Sequence, residues 1–172
     1  MVLCAMTDYE RLYREAESVC GEPFEEFVNF FAACEKPLCV LDLGCGQGRD
    51  SLMAASYGHS VIGVDASKTG VMQVNKIAKK RGLDVCASVE DLCSYSPVSK
   101  YDVVVLDRIV HMMKEKEQKL GLLEMAQCAT KARGYVLIAD IPSNVALIEH
   151  SFTTGWNPVL SRRNTRFYRR VA

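Results

Sequence analysis

Two carboxylates and three glycines carry the chemistry most directly legible in this chain. The segment Val40-Leu-Asp-Leu-Gly-Cys-Gly-Gln-Gly-Arg-Asp50 sets Asp42 two residues ahead of a loop with glycine at 44, 46 and 48, and Asp65 follows Gly44 by 21 residues. Glycines at such spacing let a backbone turn tightly and let a ligand approach it without interference from Cβ atoms. An acid that ends the second strand of a doubly wound sheet lies beside the crevice at the strand ends, where it accepts both hydroxyls of a ribose. Two ligand classes use this geometry. A dinucleotide site needs G-x-G-x-x-G, with a pyrophosphate at the helix N-terminus. Here the third glycine comes one residue early, and Asp42 places negative charge where a pyrophosphate would be repelled. A ligand with a sulfonium and an ammonium in place of phosphates is attracted by that carboxylate. The acidic-x-G-x-G-x-G pattern therefore selects S-adenosylmethionine as the cofactor.

The elements that must position these residues follow from the apolar periodicity. Residues 7–35 read as helical in two pieces. Tyr9, Leu12, Tyr13 and Ala16 line one face, and Phe24, Phe27, Val28 and Phe31 form a second stripe beyond Gly21 and Pro23. Lys36-Pro37 ends the second piece. From residue 38 strands and helices alternate: strands over 38–43, 60–65, 85–88, 101–107 and 134–140, helices over 49–57, 67–81 and 114–131, with Ser67 as a cap and Gly82 just past a helix end. Continuous apolar strands separated by helices predict a parallel sheet covered on both faces. The tail departs from this rule. A short helix near 146–150 precedes two strands flanking Arg163-Asn164, an antiparallel hairpin within 156–171.

Composition bounds the rest. Of 172 residues 49% are apolar and 24% charged, enough for one domain with a sizeable core, and 21 basic residues balance 21 acidic ones. The balance gives no hint of a nucleic-acid partner. No apolar run approaches the ~18 residues of a membrane span, and the early charges argue against a secretory leader. Eight cysteines, Cys4, Cys20, Cys34, Cys39, Cys45, Cys86, Cys93 and Cys128, form no C-x-x-C pair and no zinc spacing. The expectation is a cytoplasmic protein with reduced thiols, of which Cys39, Cys45 and Cys86 lie in or beside strands as small apolar side chains, and with no metal.

Four motifs in order, VLDLGCGQGRDS, VIGVDAS, SVEDL and YDVVVLDRIVHMM, resemble the class I S-adenosylmethionine-dependent methyltransferases, and within them the small tellurite-resistance-like group, over about residues 38–140. The resemblance implies an α/β, doubly wound, seven-stranded sheet of order 3-2-1-4-5-7-6, strand 7 antiparallel, with helices on both faces. It divides a single methyltransferase domain, 1–172, into a helical lid at 1–37 and a Rossmann-like core at 38–172. It also implies roles. The loop Gly44, Cys45, Gly46 and Gly48 approaches the methionine part of the methyl donor, and Asp42 lies near its ammonium. Asp65, with Ala66 beside it, binds the ribose. Asp91 accepts from the adenine amine with the Leu92 amide near the ring, Glu90 being a rival for Asp91. Arg49 has no uniform role in the class, but it could reach the donor carboxylate or the fourth strand.

Around the expected methyl-transfer position the catalytic candidates are His111, Tyr9, Tyr13 and Asp107. His111 is a candidate base set against a packed histidine, and Tyr9 and Tyr13 are lid residues set against plain packing. Asp107 either contacts ligand or pairs with Arg108 or Arg49. Met112 and Met113 read as core or pocket lining. The arginines at 162, 163, 166, 169 and 170 read as a charged edge hairpin, or as a contact for an anionic substrate or RNA. The absence of an NPPY-type tetrad after the fourth strand argues against methylation of base or glutamine amino groups. The expected function is methyl transfer to a small-molecule acceptor, a thiol, chalcogen oxyanion or other small nucleophile. The alternatives are a non-catalytic sensor or partner subunit that binds the methyl donor, and a nucleotide-dependent oxidoreductase, which the glycine spacing disfavours.

Overall fold

A computed structural model describes residues 7–16 and 18–172, so Cys4 lies outside the described residues. Seven strands run in the order β3-β2-β1-β4-β5-β7-β6, the expected order with an antiparallel last strand, and they fall into two compact units that meet in sequence at Leu92 and Cys93. The first unit holds helices α1 (Thr7–Glu15) and α2 (Glu25–Ala32), strand β1 (Cys39–Leu43), α3 (Arg49–Ser56), β2 (Ser60–Asp65), α4 (Lys68–Arg81) and β3 (Val85–Val89). Its strands pair in parallel, with Leu41 opposite Ile62 and Gly63 opposite Ala87. Phe27 and Phe31 of α2 are fully buried, each contributing about 1.5–3 kcal/mol of transfer free energy. Beside Phe31 the buried His59 uses both ring nitrogens: Nδ1 accepts from Leu38 N at 3.2 Å, and Nε2 faces Phe31 O at 3.2 Å. The Ser67 hydroxyl accepts from Gly70 N at 3.0 Å and caps α4, which Gly82 ends in the left-handed region. Residues 90–100 contain no helix, and Cys39, Ile62 and Cys86, which the pairing places on one face, are exposed. Of the three strand-associated thiols only Cys45 is buried, because α4 packs on it through Val71 and Val74.

The second unit holds β4 (Tyr101–Asp107), α5 (Lys116–Ala129), β5 (Thr130–Ala139), α6 (Val145–Ser151), β6 (Trp156–Arg162) and β7 (Thr165–Arg170). The boundary between α5 and β5 differs from the sequence expectation. Extended backbone begins at Thr130 and not at Gly134, because Thr130 pairs with Tyr101 ahead of an irregularity in the ladder. Arg133, which ends up in that irregular stretch, sits at φ 62°. The hairpin forms as expected, with β7 antiparallel to β5 and to β6. Its arginines engage local partners. Arg166 Nε bonds Glu149 at 2.7 Å, Arg170 Nη1 donates to the Gln127 and Thr130 carbonyls at 3.0 and 2.7 Å, and the Arg169 guanidinium lies 5.5 Å from the Tyr135 ring centre. Phe152 stacks on Tyr168 at 4.5 Å and meets Trp156 edge-on at 5.0 Å. Among the described residues no helix is long and apolar enough to cross a membrane.

Candidate functional site

The glycine loop leaves β1 and enters α3 through three residues with positive φ: Gly44 at 85°, Gly46 at 52° and Gly48 at 84°, a region that side chains disfavour. Both Gly44 N and Cys45 N donate to the Val64 carbonyl, at 2.8 and 3.0 Å, which holds the loop against the end of β2. There Asp65 divides its carboxylate. Oδ2 accepts from Gly46 N at 2.9 Å and Oδ1 from Ser67 N at 2.8 Å, so one side chain fastens the loop to the start of α4. Burial raises the Asp65 carboxyl above its ordinary range, against the pull of these amide bonds. The half-buried Ala66 adjoins it, and Glu90 N donates to the Asp65 carbonyl at 2.9 Å. The turn after β3 therefore starts beside Asp65, with Glu90 half-buried, Asp91 exposed and Leu92 buried.

Asp42 is buried at the end of β1 and accepts from Ser51 Oγ at 2.5 Å. Burial, followed by the charge of Asp50, pushes its carboxyl up to about 7. Asp50 is also raised by burial. Its Oδ2 receives Arg49 Nε and Nη2 at 3.3 and 3.0 Å, and its Oδ1 is buried with no hydrogen-bond partner among the described residues. Arg49 Nη1 donates to Cys20 O at 2.8 Å, and its guanidinium lies 5.4 Å from the Phe24 ring centre. The guanidinium thus holds the segment between α1 and α2 against α3.

Helix α1 lies on the same loop. The Tyr13 hydroxyl stands 2.5 Å from the position a Cβ on Gly46 would take, and the Tyr13 ring also borders Gly70. Tyr13 is buried, with the half-buried Tyr9 ring at 5.6 Å. Burial, and then the neighbouring Cys20 and Asp65, push the Tyr13 phenol well above its ordinary range, so at neutral pH it keeps its proton. Three side chains fasten the helix and the chain just after it, and none was singled out from sequence. The Glu10 carboxylate accepts from the hydroxyls of Ser67 and Thr69 and from Thr69 N at 3.2 Å. Gln47, inside the glycine loop, accepts from Val19 N at 2.8 Å and donates to Ala16 O at 2.7 Å. Gln73 donates to Tyr13 O at 2.8 Å. A polar side chain between two glycines was the available signal for Gln47. Glu10 carried none, since an acid on an amphipathic helix is ordinary.

The remaining candidates belong to the second unit. Asp107 is buried at the end of β4 with Arg108 Nε 3.9 Å away. Arg108 has φ 52°, a left-handed residue at a strand end where such strain often marks function. His111 follows in a 3-10 turn, Val110–Met112, with Nδ1 3.2 Å from Asp140 Oδ2. Asp140 was not singled out either, although it stands one residue past its strand, where Asp65 and Asp107 end theirs. Of the two methionines, Met113 is buried and Met112 half-buried. Among the described residues no cluster of His, Cys, Asp and Glu is arranged to hold a metal ion.

Strand order and glycine loop together define a class I methyltransferase fold. Two solved structures share it. The N-methyltransferase NodS from Bradyrhizobium japonicum WM9, in complex with S-adenosyl-L-homocysteine, aligns over 98% of this chain and 99% of its own, at 12% identity and TM-score 0.80. TehB from Haemophilus influenzae aligns over 95% of this chain and 67% of its own, at 19% identity and TM-score 0.71. The model of the family described as tellurite resistance protein TehB matches residues 23–156, and the chain belongs to that family. A curated relative from Haemophilus influenzae (strain 10810), named probable S-adenosyl-L-methionine-dependent methyltransferase TehB, is 31% identical over 102 residues. That match covers 59% of this chain and only 35% of the relative.

Proposed function

We propose that this chain is a methyltransferase that uses S-adenosylmethionine and acts on a small-molecule acceptor. The observation that carries the proposal is the acid-flanked glycine loop, with Gly46 N–H on the Asp65 carboxylate at 2.9 Å and Asp42 buried at the strand end that opens the loop. Two acids whose ionisation burial opposes are relieved by a cation and would be penalised further by a pyrophosphate. The unpartnered Asp50 Oδ1 adds to that demand for a cation or a proton. The family and the relatives' names support the same reading.

The methyl donor supplies a methyl group on a cationic sulfur that leaves as a neutral thioether. The chain's residues supply alignment and a dry surround. In this reading Asp42 meets the ammonium, directly or through water, and the Gly44, Cys45, Gly46 and Gly48 backbone runs beside the methionine part. Asp65 keeps lone pairs for the ribose hydroxyls next to Ala66. Asp91 or Glu90 accepts from the adenine amine, with the Leu92 amide near the ring. Arg49 acts as a positioning residue through Cys20 and Phe24. Tyr9 and Tyr13 form an aromatic wall suited to a sulfonium, and the raised phenol of Tyr13 serves as wall and not as base. Asp107 and His111 act toward the acceptor. Calorimetric titration tests the reading. S-adenosylhomocysteine is expected to bind with micromolar affinity, about −8 kcal/mol, and NAD not to bind; tight NAD binding without S-adenosylhomocysteine binding would end it.

A further inference from the structure

We infer that His111 and Asp140 form an oriented general base, and hence that the acceptor is a protic oxygen nucleophile, a phenol or another acidic hydroxyl; this rests on the methyltransferase reading. Asp140 directly follows β5, with its side chain fully buried. Three N–H groups and one imidazole nitrogen converge on it. Oδ2 receives His111 N at 3.3 Å and faces His111 Nδ1 at 3.2 Å, while Oδ1 accepts from Ile141 N at 2.9 Å and Asn144 Nδ2 at 2.7 Å. Lys119 Nζ donates to Asn144 Oδ1 at 2.9 Å, which turns the amide so that its NH2 group faces the carboxylate. An ionised carboxylate can only accept. It therefore keeps the imidazole proton on Nδ1 and leaves a lone pair on Nε2.

The His111 side chain is 25% exposed, and its Nε2 has no partner among the described residues. A histidine serving packing alone looks different here, for His59 spends both nitrogens inside the core. The pair also stands beyond the carboxyl ends of β4 and β5, the edge at which open α/β sheets bind ligands. An oriented base has work to do only for a nucleophile that must lose a proton. A thiolate arrives already ionised, and a neutral amine attacks through a lone pair it already carries. In the step inferred, the acceptor O–H proton passes to Nε2 as the oxygen forms its bond to the methyl carbon. The carbon–sulfur bond breaks with its electron pair left on sulfur, and Asp140 balances the imidazolium until the proton passes to water.

Nitrogen-15 NMR of the protein without ligand is expected to find the His111 proton on Nδ1, a preference that Asp140→Asn weakens. With labelled methyl donor, a series of substituted phenols and matching thiophenols reads the chemistry. The parent is expected to methylate phenols. His111→Gln is expected to lower the phenol-to-thiophenol rate ratio about 10²–10⁴-fold, through kcat more than KM, and most for the least acidic phenols. Asp140→Asn, checked for folding by circular dichroism, lowers the same ratio to a smaller degree. A parent that methylates no phenol, an equal loss for both nucleophiles, or a ring proton on Nε2 overturns the inference. S-adenosylhomocysteine calorimetry on each protein separates the two claims. Retained binding with any of those results leaves the methyltransferase reading standing and removes only the base, whereas a parent that does not bind it removes both.

Discussion

Asp42 is costly to ionise where it lies, and that cost sets a pH dependence. Its carboxyl is raised to about 7 by burial and by Asp50, so the folded chain without ligand holds a proton there that the unfolded chain has lost. The stability contributed is full below the ordinary carboxyl range and is lost as pH rises through about 7. An ammonium beside Asp42 favours the ionised form, so binding must expel the proton. Affinity for S-adenosylhomocysteine is expected to rise from pH 5 to about 7, with up to one proton released, and Asp42→Asn is expected to flatten the dependence. Calorimetry in buffers of different ionisation enthalpy checks it; equal apparent enthalpies would show that no proton leaves. At Asp65 the carboxylate serves the loop as well as any ribose. Asp65→Ala is therefore expected to cost roughly 1.5–3 kcal/mol of binding, about tenfold or more, in a protein whose circular dichroism is unchanged.

At the scale of elements, α1 is held by side chains that reach the glycine loop and the start of α4. Partial burial works against the Glu10 charge, but the bonds from Ser67 and Thr69 outweigh it and keep its carboxyl below the ordinary 4.5. The sign follows from that depression: the latch is intact above the ordinary value and is lost as pH falls through the depressed one. Glu10→Gln is expected to speed proteolytic cutting near Gly21 at neutral pH, and acid to do the same for the parent. A Cβ at Gly46 would sit 2.5 Å from the Tyr13 hydroxyl, at φ 52°, so Gly46→Ala is expected to weaken S-adenosylhomocysteine binding and expose the same cutting site. Cutting no faster in both variants would show that α1 stays docked by other means. In the hairpin, the Tyr168 hydroxyl is buried without a hydrogen-bond partner among the described residues, a state that costs about 1–3 kcal/mol. Tyr168→Phe is accordingly expected to raise the melting temperature, and a fall would reveal a bond to that oxygen.

For the whole molecule, 21 basic residues cancel 21 acidic ones, so no net charge draws a polyanion to it. The hairpin arginines that could have made a local patch are partly engaged, Arg166 by Glu149 and Arg170 by carbonyls of α5 and β5. Retention of single-stranded RNA is expected to vanish at physiological salt, where sequence-independent binding depends on unpaired cations. S-adenosylhomocysteine affinity is expected to change little between low and high salt, since partly buried charges are screened far less than exposed ones. A filter-binding assay and a salt series of titrations check the two. RNA held at high salt would reopen the hairpin as a contact surface.

The sequence by itself determined the order and type of the elements, the antiparallel tail and the acid–glycine–acid motif. Periodicity, strand-ending acids and glycines that adopt positive φ are local properties, written within a few residues of one another. It misjudged the α5–β5 boundary, where the pairing of Thr130 with Tyr101, distant in sequence, overrode a helical pattern. Only the tertiary structure decided which polar groups share a proton, a latch or an orientation. Glu10 meets Thr69 across 59 residues, Gln47 meets Val19 across 28, and Asp140 meets His111 across 29. No spacing rule links such pairs. They become partners because packing removes water from polar groups that then must find one another, a demand that exists only once the chain has closed around them.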